Sequence, residues 1–74
     1  MNIFIFEDLQ QVSNNYHKNG GLVIVAWNIE NAKKLVEPDE YIKITDEEWN
    51  NVITYELKHD EEEKYYVFPD AGCC

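Results

Sequence analysis

Seventy-four residues carrying fifteen acids, six lysines, no arginine and a net charge of −9 leave room for one small domain, which buries about 60% of the surface its unfolded chain exposes. The charge repels nucleic acid and anionic membranes, and the lack of arginine removes the residue best suited to grip phosphate in a bidentate way. With 45% hydrophobic and 14% aromatic residues the chain is too apolar for disorder, yet no run approaches the roughly 20 apolar residues of a membrane span.

Asn2 to Phe6 and Leu22 to Trp27 are short apolar runs rich in β-branched and aromatic residues, which predicts two central strands apolar on both faces. Between them Glu7 to Gly21 is polar. Leu9, Val12 and Tyr16 recur at helical spacing after Asp8, so this stretch reads either as a short helix or as a structured loop. Asn19-Gly20-Gly21 reads as a tight turn, because phosphate-binding glycines follow a strand and open a helix, whereas these precede one.

Asn28 predicts the cap of a helix whose apolar face is Ile29, Ala32, Leu35 and Val36, stopped by Pro38. Tyr41 to Thr45 alternate as a half-buried strand with Ile42 and Ile44 on one face. Thr45-Asp46-Glu47-Glu48 fits a capping box that starts a helical turn through at least Trp49. From Val52 alternation returns, with Ile53, Tyr55 and Leu57 opposite Thr54 and Glu56. A further strand runs from Lys64 to Phe68, which predicts a hairpin closed by an acidic loop. Residues 69–74 read as a tail. The expected architecture is α+β: one domain over 1–74, a mainly antiparallel sheet of four to five strands, and one or two short helices on one face.

The charge is unevenly spread. Met1 to Val36 is neutral, with Glu7, Asp8 and Glu30 against Lys18, Lys33 and Lys34. Glu37 to Glu63 holds eleven acids against Lys43 and Lys58 and so carries the whole net charge of −9. Such a run is either a solvated face that keeps a small protein soluble or a surface for a basic partner. The clustering favours the partner, since a solubility surface intersperses both signs. Candidate contacts are Asp46, Glu47, Glu48, Glu56, Asp60, Glu61, Glu62 and Glu63. Trp49, Tyr41, Tyr65 and Tyr66 are the aromatic residues beside these acids that could anchor a partner. Neighbouring Tyr65 and Tyr66 must point to opposite faces of a strand, so one of the pair is exposed, and Tyr66 is taken as the contact. Trp49 reads as core, from its spacing with Val52 and Ile53.

No catalytic or cofactor site is expected. His17 and His59 are isolated, no nucleophile motif accompanies them, and four successive acids from Asp60 to Glu63 cannot wrap one calcium ion. Adjacent Cys73 and Cys74 lack metal-ligand spacing and cannot staple distant segments, so they read as a thiol pair in the tail that is able to link two copies in vitro. Those cysteines, and a start MNIFIFEDL without the basic region of a secretory signal, point to a cytoplasmic location.

Small size, arginine poverty and strong acidity without a catalytic signature resemble the phage- and plasmid-encoded inhibitors of host defence, including anti-CRISPR proteins and nucleic-acid mimics. The resemblance implies that carboxylates such as Asp46 to Glu48 and Asp60 to Glu63 enter a basic groove where a nuclease or regulator of the host holds nucleic acid, with no direct contact to nucleic acid or membrane. The alternatives from the residues are a small sensor that takes a small molecule or metal at Tyr16-His17 or at the cysteines, and an acidic subunit of a larger complex.

Overall fold

The computed structural model of the chain describes residues 1–12 and 19–69. Six elements follow in order: β1 (Asn2–Leu9), β2 (Gly20–Ala26), α1 (Ile29–Val36), α2 (Asp46–Asn50), β3 (Ile53–Glu56) and β4 (Lys64–Pro69). The strands form one sheet in the order β3-β1-β2-β4, antiparallel throughout, and with the two helices they make a small α+β fold. The two strands that are apolar on both faces take the centre, where neighbours pair both their edges. The more polar β3 and β4 take the edges, where a row of backbone groups stays in water.

The helices cover one face. Phe4 and Phe6 of β1 and Leu22, Ile24 and Ala26 of β2 pack there with Leu9, Val12, Ala32, Val36, Ile42 and Trp49. Both helices begin on the signals expected of them. Asn28 Oδ1 accepts the Asn31 amide at 2.8 Å at the start of α1. At α2 the Thr45 hydroxyl accepts the Glu48 amide at 3.1 Å, and Glu48 Oε1 accepts the Thr45 amide at 2.9 Å. This reciprocal pair holds α2 where Trp49 meets Phe6 edge to face, with ring centroids 5.0 Å apart and Lys33 Nζ 5.5 Å above the indole. Trp49 is 8% exposed and belongs to the core.

Two expectations about strand pairing meet a different structure. β3 and β4 are not a hairpin: β1 and β2 lie between them, and residues 57–63 cross the end of the sheet instead. Pairing β3 directly with β4 would have left an edge of β1 and of β2 without a neighbour. Tyr41 to Thr45 supplies only one bridging residue, Lys43, whose amide donates to the Gln11 carbonyl at 3.0 Å. Ile42 is buried and Ile44 half-buried, as the alternation requires, but among the described residues no longer partner strand lies beside them. Glu7 to Gly21 reads as helix or structured loop, and its first residues are neither helical nor free: β1 continues through a bulge to Leu9, and Leu9 and Val12 are both buried, while residues 13–18 lie outside the described residues. Tyr16 and His17, Cys73 and Cys74, and the tail beyond Pro69 lie outside the described residues.

Candidate functional site

The acids of residues 37–63 are adjacent in sequence but do not share one surface. Glu56 sits opposite Asn2 at one end of the sheet, and residues 57–63 stay there. The Leu57 amide donates to the Met1 carbonyl at 2.8 Å, and Glu63 Oε2 accepts the Trp27 amide at 3.1 Å. In the same loop Glu61 pairs with His59 at 2.9 Å and approaches Lys64 Nζ at 3.9 Å. Asp60 and Glu62 are exposed, with no hydrogen bond to another side chain among the described residues.

Asp46, Glu47 and Glu48 are placed elsewhere, in the first turn of α2. Glu47 and Glu48 flank the far end of β1, where the bulge exposes Glu7 and Asp8. Asn2 and Glu7 are five steps apart on β1, about 16 Å of extended chain. The carboxylates therefore form two groups at opposite ends of the sheet. Asp39 belongs to neither, because its Oδ1 accepts the Tyr41 amide at 3.0 Å and its Oδ2 accepts the Tyr65 hydroxyl at 3.3 Å. Burial first, and Asp39 second, raise the Tyr65 phenol above its ordinary value.

Between the two acidic ends lies the second face of the sheet, and neither helix covers it. The strand register sets its residues in rows. Tyr55, Ile3, Val25 and Lys64 lie side by side at the Trp27 end, and Ile53, Ile5, Val23 and Tyr66 form the next row. Phe68 follows beside Gly21. A Cβ on Gly21 would meet the Phe6 carbonyl at 3.2 Å, tight enough that glycine suits this close passage next to the bulge. Tyr55, Tyr66 and Phe68 are 59%, 47% and 57% exposed. Tyr66 is thus an outward aromatic, as expected, while Tyr65 turns to the helix-covered side. Lys64 Nζ lies 5.9 Å from the Tyr66 ring, and Tyr66, then Glu61 and Glu62, hold the Lys64 ammonium above its ordinary value.

Tyr55, Phe68, Glu7 and Asp8 were missed by sequence reasoning as surface candidates. The alternation of Ile53, Tyr55 and Leu57 was legible, but which side of the sheet the helices cover was not. The signal for the open face was the apolar second side of β1 and β2, for which two short helices provide no cover. Glu7 and Asp8 gave no signal, because they sit in the charge-neutral part of the chain and meet Glu47 only through the fold.

Among the described residues no group of three or more His, Cys, Asp or Glu side chains is placed to hold a metal ion, and no helix is long and apolar enough to cross a membrane. No protein-family model, curated protein or solved structure matches the chain.

Proposed function

We propose that the chain is a non-enzymatic binding protein that occupies a basic surface of another protein, of the kind a nuclease or nucleic-acid-binding regulator of a host cytoplasm uses to hold nucleic acid. The observation that carries this reading is the uncovered apolar sheet face with Tyr55, Tyr66 and Phe68 exposed, edged at the Trp27 end by Glu56 and the Asp60 to Glu63 loop. Half-exposed aromatics ringed by polar groups supply most of the energy of many protein interfaces. The flanking carboxylates select the partner's sign: a second copy brings another net charge of −9, whereas a basic rim is attracted from a distance. An inhibitor of host defence acting by occupancy needs no more than this.

A second reading is favoured by the apolar face itself: an acidic subunit of a stable assembly, held by Tyr55, Tyr66 and Phe68, with the charge serving solubility. Salt separates the two, because rim carboxylates are screened while apolar burial is not. The test uses the tagged parent, the D60N/E61Q/E62Q variant and a Y66S/F68S variant, with Glu63 spared because it caps the Trp27 amide. Each is used to capture partners from lysate at low and high salt, and each captured protein is then purified and assayed for displacement of its nucleic acid. The proposal expects a complex lost at high salt and in both variants, together with displacement. A complex that survives high salt and D60N/E61Q/E62Q, but not Y66S/F68S, replaces it with the subunit reading.

A further inference from the structure

β1 is longer than the strand that pairs with its outer edge. β2 accompanies it from Asn2 to Leu9, but β3 pairs only with Asn2 to Ile5. Among the described residues, no strand lies beside Phe6 to Leu9 on that edge. β3 cannot extend backwards to fill the gap, because the chain before it is committed to α2, where the Asn51 amide donates to the Glu47 carbonyl at 3.1 Å and the Val52 amide to the Trp49 carbonyl at 3.4 Å. A groove of about 500 Å³ results, with β1 from Ile5 to Gln10 on one side and α2 with its flanking residues on the other. That size falls within the range of roughly 300–1,000 Å³ typical of ligand sites.

Two properties of the groove act together. An unpaired strand edge is a template for an added strand, bound through main-chain hydrogen bonds that demand no particular sequence. The walls then set the sequence: Glu7, Asp8, Glu47 and Glu48 line the groove, and among the described residues no lysine does. Glu48 is engaged with Thr45, which leaves the exposed carboxylates of Glu7, Asp8 and Glu47 to face a ligand. The same carboxylates oppose pairing with a second copy of this acidic chain, so the edge is closed to self-association and open to a strand of the other sign.

We infer that the groove between Phe6–Leu9 of β1 and α2 takes an extended, lysine- or arginine-bearing segment of a partner protein as a short added strand. This rests on the reading above that the partner is basic, and it adds a second contact at the opposite end of the sheet from the Asp60 to Glu63 loop. The partner segment continues the line of β3, laying its backbone along Phe6 to Leu9 and its cationic side chains towards Glu7, Asp8 and Glu47.

The experiment measures fluorescence anisotropy of a fluorescein-labelled Lys-Val-Lys-Val-Lys-Val peptide with the full chain. Its controls are Glu-Val-Glu-Val-Glu-Val and the lysine peptide N-methylated at alternate amides in each of the two frames. Binding of the lysine peptide is expected, with no binding of the glutamate peptide and at least a tenfold loss of affinity in one or both methylated frames. The E7Q/D8N/E47Q variant, checked for an unchanged melting temperature, loses at least tenfold. D60N/E61Q/E62Q at the far end changes affinity less than twofold. Equal binding of parent and both methylated peptides, equal loss in the two variants, or no binding of the lysine peptide overturns the inference. Because the two acid sets lie at opposite ends, failure of the groove leaves a salt-sensitive capture lost in D60N/E61Q/E62Q intact, and failure of that capture leaves peptide binding intact.

Discussion

The covered face of the sheet presents Phe4 and Phe6 of β1 and Leu22, Ile24 and Ala26 of β2 to two helices, while the other face of the same sheet leaves Ile3, Ile5, Val23 and Ile53 half-buried and Tyr55, Tyr66 and Phe68 exposed. The residue types are nearly the same on both sides, and only the covering differs. Burial against the helices contributes to folding, whereas apolar surface left open contributes only when something docks on it. Stability and binding are thus assigned to opposite sides of one sheet, and substitutions on the two sides should have separable effects.

The largest effect expected from breaking that division is at Ile24, which is fully buried. Ile24→Ala should cost about 2–5 kcal/mol, from lost transfer energy and the cavity left behind. Tyr66→Ala, on the open face, should stay within about 0.5 kcal/mol. Urea denaturation of the pair measures the contrast, and equal losses would mean that the open face is part of the folding core. A smaller effect is expected at Thr45, whose hydroxyl starts the helix that covers Phe6. Thr45→Ala should cost about 1 kcal/mol, read from the same curves.

The smallest effect sharpens the comparison at Tyr65, on the covered side. Its folded pKa is raised above the ordinary value of about 10, mainly by burial and then by Asp39, so the folded state holds the phenolic proton more tightly than the unfolded chain does. That contribution is complete below pH 10 and is lost as pH rises through the folded value. Melting temperatures of the parent should therefore fall more steeply above pH 10 than those of Tyr65→Phe. Lys64, also raised, adds a loss in the alkaline range that is common to both proteins and cancels in the comparison.

Features that close within a few residues were legible from sequence. The Asn28 and Thr45 caps need only the next three amides, and Ala32 and Val36 need only the turn of their own helix. The central position of β1 and β2 was also legible, because runs apolar on both sides suit no edge. Partner choice was not. Alternation in Ile53 to Leu57 and in Lys64 to Phe68 is the same whether the strands pair with each other or with two intervening strands, and the decision rests on edges of β1 and β2 formed by distant residues. For the same reason the acidic run read as one surface, although a crossing loop and a helix carry its parts to opposite ends.

That crossing loop also governs how the sheet comes apart. β3 and β4 share no hydrogen bonds, yet seven residues, 57–63, connect them across three strand spacings. The gap is about 14 Å and the fully extended connection about 23 Å, so the slack is about 9 Å. An edge strand that frays at the Trp27 end is leashed to the strand on the opposite edge and stays at high effective concentration for re-pairing. The linker is therefore a tether, and a single cut in it would release both margins of the sheet at once.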